Sequence, residues 1–141
     1  MTSTLHATCV AISGRGILLT GAPGAGKSDL ALRLIDRGAL LVSDDGTLVE
    51  ARAGRLYASA PATIAGRMEI RGLGIVDTPT IAGAPLVLAF ALDTPVSRMP
   101  EESLPTLSVE GVELPLLALD PFEISAAVKV EKALLLYGLN L

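Results

Sequence analysis

Apolar residues fall in short blocks along this chain, each closed by turn-forming residues, and only two stretches show the three-to-four spacing of a helix. His6 to Ile12 reads as a strand. Ser13-Gly14-Arg15-Gly16 turns the chain back into a second apolar run, Gly16 to Thr20. From Ser28 to Arg37 the period changes: Leu30, Ala31, Leu34 and Ile35 share one face, Arg33, Asp36 and Arg37 the other, and Gly38 stands where a helix ends. Ala39 to Val42 is a buried-strand run that stops at Ser43-Asp44-Asp45. Thr47 to Arg52 and Arg55 to Ala58, joined through Ala53-Gly54, predict a hairpin.

The second half is less regular. Pro61 to Gly66 reads as loop or a short helical turn. Arg67 to Asp77 sets two arginines and a glutamate around Gly72 and Gly74, an expensive mixture for a plain strand. Pro85 to Asp93 is the most apolar run in the chain and predicts a central strand. Thr94 to Pro105 is loop, and Thr106 to Leu119 reads as strand, turn at Glu110-Gly111, strand. Asp120-Pro121-Phe122-Glu123 has a capping residue, a proline at the first helical position and an acid three residues after the cap. A helix is expected from there to about Tyr137, with Ala126, Val130, Ala133, Leu134 and Tyr137 on its core face.

The blocks add up to a single domain, residues 1–141, because 50% of the residues are hydrophobic and only 18% charged. No internal repeat or linker divides it. A formal net charge of −4 and the lack of a basic stripe argue against a nucleic-acid partner. The N-terminus has no signal-peptide pattern, and no apolar run approaches the roughly 18 residues needed to span a bilayer, so a cytoplasmic, non-membrane protein is expected. Cys9 is the only cysteine. It predicts a small buried hydrophobe rather than a disulfide, zinc or nucleophilic residue.

The candidate chemistry sits between the second strand and the first helix. Gly21-Ala22-Pro23-Gly24-Ala25-Gly26-Lys27-Ser28 fits G-x-x-x-x-G-K-[ST] at every fixed position, in the strand–loop–helix order that a P-loop requires. Convergent backbone amides can hold a polyphosphate there, Lys27 can reach the terminal phosphates, and the Ser28 hydroxyl can sit on Mg²⁺ at a helix N-terminus. ATP with Mg²⁺ is therefore the expected ligand. A P-loop enzyme also needs an acid for the metal or for the attacking group. Leu88 to Asp93 offers a long apolar run capped by one acid, whereas Leu40 to Asp45 offers two adjacent acids, and paired acids suit a kinase, which needs a base beside its acceptor hydroxyl. On the residues alone, Asp44, Asp45 and Asp93 all stand as candidates for the metal.

Several segments, in order, resemble the HPr serine kinase/phosphorylase family: His6, the P-loop through Lys27-Ser28, Arg37-Gly38 through Asp44-Asp45, and Met68-Glu69-Ile70-Arg71-Gly72-Leu73-Gly74-Ile75-Val76. The last is similar to the family's own signature and is not carried by ordinary P-loop ATPases. The resemblance covers the catalytic domain, from His6 to about Val76, without the family's N-terminal domain. It implies an α/β fold with a P-loop core of the phosphoenolpyruvate-carboxykinase-like type, a mixed sheet and flanking helices. It also implies an ATP-dependent kinase for a serine of the phosphocarrier protein HPr, able to reverse the reaction by phosphorolysis and usually assembled as a hexamer. By the same resemblance Asp45 takes the serine proton, Ser28 and Glu69 bind Mg²⁺, and His6, Lys27 and Arg98 are further catalytic positions; Asp44 stays beside them as a metal candidate from the acid pair alone.

The sequence departs from the family in three places. Pro23 and Asp29 replace a serine and a glutamate common in the family's loop. Leu116 to Pro121 stands where the family carries a Pro-x-x-Pro-Gly-Arg-Asn-like segment tied to dephosphorylation, which predicts a kinase weak in the reverse direction. Two other readings fit the P-loop: a kinase or phosphohydrolase for a small molecule, and a nucleotide-binding regulatory module without transfer.

Overall fold

The computed structural model describes residues 2–140. Eleven strands and two helices follow in the order β1 (Thr2–Leu5), β2 (Ala7–Ile12), β3 (Arg15–Thr20), α1 (Lys27–Asp36), β4 (Leu40–Ser43), β5 (Thr47–Arg52), β6 (Arg55–Ser59), β7 (Arg67–Ile70), β8 (Gly74–Asp77), β9 (Ala84–Ala91), β10 (Thr106–Val109), β11 (Val112–Ala118) and α2 (Ala126–Tyr137). The main sheet has the order β1-β5-β6-β9-β3-β2-β4, with β11 joining β9 and β10 joining β11, while β7 and β8 form a separate hairpin. This is the expected α/β architecture, a mixed sheet with flanking helices.

As expected, β9 is central. It runs parallel to β3 along one edge and meets β6, then β11, along the other. After Ala84 and Pro85 its remaining six residues, Leu86 to Ala91, form an uninterrupted apolar run, which suits a strand covered on both faces. Alternation on β3 sends Ile17 and Leu19 under the helices and Leu18 to the opposite core. The register slips between Gly16 and Ile17, so Val87 is an extra residue in β9, and its carbonyl accepts the Leu139 N–H at 3.0 Å.

Direction matters more than order for the site. Because β2 is antiparallel to both β3 and β4, while β9 and β11 are parallel to β3, the strands β3, β4, β9 and β11 all point the same way. Their C-terminal ends therefore deliver the P-loop, Asp44-Asp45, Asp93 and Leu119-Asp120 to one edge of the sheet, where α/β folds bind ligands.

Both helices cover one face of the sheet. α1 buries Leu30, Ala31 and Leu34, and α2 buries Ala126, Val130, Ala133 and Leu134, as the apolar spacing predicts, while Ile35 and Tyr137 are half-buried and Ala127 joins the core in addition. Truncating Leu34 to Ala would cost about 2–5 kcal/mol. Arg37 on α1 donates to Glu131 on α2 through Nη2 at 2.7 Å and Nε at 3.0 Å, and that hydrogen bond holds the Glu131 carboxyl below its usual range. Cys9 is fully buried, and burial pushes its thiol well above the ordinary range.

Two elements differ from expectation. The last helix begins at Ala126 rather than at Asp120. Asp120 Oδ1 instead accepts the Phe122 N–H at 2.9 Å, and Arg33 donates to the carbonyls of Pro121 and, at 3.4 Å, Glu123, which binds this segment to α1 as turns. β1 is additional: Thr2–Leu5 carries no apolar block but pairs along the edge of β5, from Thr2 against Glu50 to Leu5 against Thr47. Among the described residues no helix is long and apolar enough to cross a membrane.

Candidate active site

The loop between β3 and α1 is shaped to present backbone amides. Gly26 caps α1 with φ +99°, a left-handed conformation that side-chain-bearing residues rarely adopt, and its carbonyl accepts the Leu30 N–H at 3.0 Å. Gly21 has φ +149°, and a Cβ there would lie 2.8 Å from that of Ala25. Ala25 N–H closes the loop on the Ala22 carbonyl at 3.0 Å. Around Gly24 a Cβ would meet nothing within 4 Å, so the mouth of the loop is open.

Lys27 lies within this curl, 6% exposed. Its Nζ donates to the Gly21 carbonyl at 2.6 Å and the Ala22 carbonyl at 3.3 Å, and stands 3.7 Å from Asp45 Oδ1. Both carbonyls are neutral, so a phosphate reaching the loop would compete favourably for the ammonium.

Asp44 ties three elements together. Its Oδ1 accepts the Ser28 hydroxyl of α1 at 2.6 Å and lies 3.4 Å from the Thr8 hydroxyl of β2, and its Oδ2 accepts the Glu69 N–H of β7 at 3.2 Å. Thr8 also accepts the Asp45 N–H at 3.1 Å. That bond helps hold Asp45 at φ +56°, a turn conformation that acidic residues tolerate better than most, and leaves its side chain 69% exposed. The two acids thus divide: Asp44 is tied into the framework and Asp45 projects from it.

Lys27, Ser28, Asp45 and Glu69 wall one cleft of about 730 Å³, together with the loop residues Pro23, Gly24 and Gly26, and Arg71 and Phe122. The other sequence candidates lie elsewhere. Asp93 sits against the loop from below, accepting the Ala22 N–H through Oδ2 at 2.9 Å. Arg98 is exposed and lines a neighbouring cleft of about 600 Å³ with Thr94, Ser97 and Asp120. His6 is exposed, one residue before Ala7, which pairs with Thr20 at the loop end of β3. It stands at the correct edge of the sheet but outside the cleft wall.

Sequence reading missed Thr8. Its signal was a hydroxyl on the face that β2 otherwise fills with Val10 under the helices, and it is 0% exposed. A buried hydroxyl needs partners, and the two acids supply them.

The donors suit a hard cation. Ser28 and Asp44 bring a hydroxyl and a carboxylate within 2.6 Å, and Glu69, whose backbone N–H meets Asp44 at 3.2 Å, lines the same cleft as Ser28. Among the described residues no group of three or more His, Cys, Asp or Glu could hold a metal by itself. A small oxygen-seeking ion that keeps several waters and takes phosphate oxygens fits such a sparse set, and the open amide loop fits the phosphates.

Residues 1–91 match the family model described as the HPr serine kinase C-terminal domain. The chain belongs to that family. HPr kinase/phosphorylase of Clostridium tetani is 46% identical over 84 residues, 60% of this chain and 28% of that protein. The protein of the same name from Clostridium beijerinckii is 47% identical over 79 residues, 56% of this chain and 26% of that protein. The chain therefore spans about 28% of the length of such relatives. A solved Hpr(Ser) kinase/phosphatase from Coxiella burnetii superimposes with a TM-score of 0.76 at 28% identity, covering 94% of this chain and 98% of the other. The family match ends with β9, so it takes in the loop, Thr8, both acids and Glu69 and stops short of Arg98 and α2.

Proposed function

We propose that this chain is a protein-serine kinase that transfers the γ-phosphate of ATP to a serine of the phosphocarrier protein HPr. The observation that carries the reading is one cleft in which the amide loop and Lys27 face an exposed acid, Asp45, across from Glu69. The amides and Lys27 hold and neutralise the phosphates. Mg²⁺, held by Ser28, Asp44 and Glu69, supplies further neutralisation of the phosphate charge. Asp45 accepts the proton of the attacking serine hydroxyl as its oxygen bonds to the γ-phosphorus and the bond to the β-phosphate oxygen breaks, releasing ADP. Its exposure leaves room for a serine carried on another protein.

His6, at the same edge of the sheet, and Arg98, in the neighbouring cleft, are further catalytic positions by family likeness. The protein works in the cytoplasm as a homo-oligomer, a hexamer by family likeness, with neither membrane nor nucleic acid as partner. The exposed apolar side chains of Leu73 and Ile75 on the β7–β8 hairpin support burial against a neighbour. The reverse, phosphorolytic reaction is weak, because Leu116 to Pro121 carries no cation and Lys129 is paired with Glu123 at 2.7 Å.

The test is to incubate purified HPr with the protein, ATP and Mg²⁺ and to map the modified residue by mass spectrometry. One phosphate on a serine is expected. HPr left unmodified, while a small hydroxyl compound is phosphorylated instead, would move the assignment to a small-molecule kinase.

A further inference from the structure

Phe122 is one of two phenylalanines in the chain, and while Phe90 is buried at 1%, Phe122 remains 71% exposed. Its backbone is fixed nevertheless. The Asp120 carboxylate accepts its N–H, Arg33 holds the carbonyls on either side, and Pro121 is buried. The ring stands 3.3 Å from the position a Cβ on Gly26 would take, so it borders the phosphate loop itself. Among the described residues it alone lines both the P-loop cleft and the neighbouring cleft.

A rigidly mounted, exposed ring beside an anion cradle has the form of a stacking platform. The phosphates account for only one end of a nucleotide. Its base presents two flat, weakly hydrated faces that gain from an aromatic partner, whatever the base. The other aromatics are not placed for this: Tyr57 lies under the Arg52 guanidinium at 4.2 Å on β6, and Tyr137 packs in part against the core at the end of α2. We propose that Phe122 is the platform for the nucleobase of the bound nucleotide, with the phosphates in the loop and the base extending toward the cleft that contains Thr94, Ser97 and Asp120. This deepens the P-loop reading and rests on it.

The test compares ATP with inorganic tripolyphosphate, which has the phosphates and no base, by calorimetry on wild type and Phe122→Ala. ATP affinity should fall roughly 5- to 100-fold while tripolyphosphate affinity stays unchanged. Because the chain has no tryptophan, Phe122→Trp adds a single reporter, whose fluorescence should respond to ATP and not to tripolyphosphate. Unchanged ATP affinity in Phe122→Ala, or equal weakening of both ligands, would overturn the proposal. Loss of transfer to HPr with intact ATP affinity would overturn it too, by assigning the ring to the acceptor protein. Wild type binding neither ligand would remove the P-loop reading and the platform with it.

Discussion

Residues through β9 and residues beyond it obey different constraints. The first part carries the family match, the loop, both acids and Glu69, whereas the second, from Leu92 on, lies outside that match although a structural likeness covering 94% of the chain includes most of it. Chemistry explains the contrast. Holding phosphate demands particular side chains at particular points, but covering a sheet demands only apolar residues at the right spacing and volume. Ala126, Val130, Ala133 and Leu134 meet that second demand, and many other residues could. The late region touches the Gly21–Ser28 loop at two places, Asp93 on the Ala22 amide and Pro121 with Phe122 against Gly26, and is tied to α1 by Arg33 on the Pro121 carbonyl. It supports the site more than it supplies it.

The largest effect expected on the early side is from Lys27→Ala. It removes the only cation within the loop and should abolish transfer and weaken ATP binding while thermal unfolding stays close to wild type. Activity that survives would take the P-loop out of the account. On the late side, the absence of a cation from Leu116 to Pro121 should shift the protein strongly toward the kinase direction. Pyrophosphate release from phosphoserine-HPr, phosphate and Mg²⁺ measures it, and a rate comparable to forward transfer would show that another group, such as Arg71 in the cleft, does that work.

A smaller effect is expected at Thr8→Val, which keeps the shape but leaves the Asp45 N–H without its acceptor. The turnover number should fall by about tenfold with the KM for ATP nearly unchanged, because a buried hydrogen bond orienting a base is lost and the phosphate cradle is intact. Equal losses in both would mean that Thr8 shapes the loop instead. Smallest of all, Cys9 should resist iodoacetamide in the folded protein, being buried with its thiol held neutral, and become reactive on denaturation. Rapid labelling of the native protein would contradict the packing of β2.

The same contrast decides what could be read without a structure. The strand–loop–helix unit, the acids after β4 and the β5–β6 hairpin were legible because each is local: glycine spacing, an apolar run with an acidic end, two alternating strands about Ala53-Gly54. β1 was not, since Thr2 to Leu5 becomes a strand only through its partner β5. The start of α2 was misplaced because Asp120 and Pro121 are good capping residues in isolation, and only the folded chain brings Arg33 to their carbonyls. Within the site, Asp93 matched the pattern of a metal-binding acid better than Asp44 did, yet it meets the Ala22 amide while Asp44 meets Ser28. Thirty-six positions separate Thr8 from Asp44, and no local pattern reports such a contact.

The central claim is that Asp45, not Asp93, takes the proton of the acceptor serine. Radiolabel transfer from ATP to HPr, measured side by side for Asp45→Asn and Asp93→Asn with ATP binding followed separately, tests it most directly. Asp45→Asn should keep ATP and Mg²⁺ binding and lose turnover on the order of 10²–10⁴-fold, while Asp93→Asn, which leaves an amide oxygen to accept the Ala22 N–H, should be mild. A crippled Asp93→Asn beside a nearly normal Asp45→Asn would contradict the account.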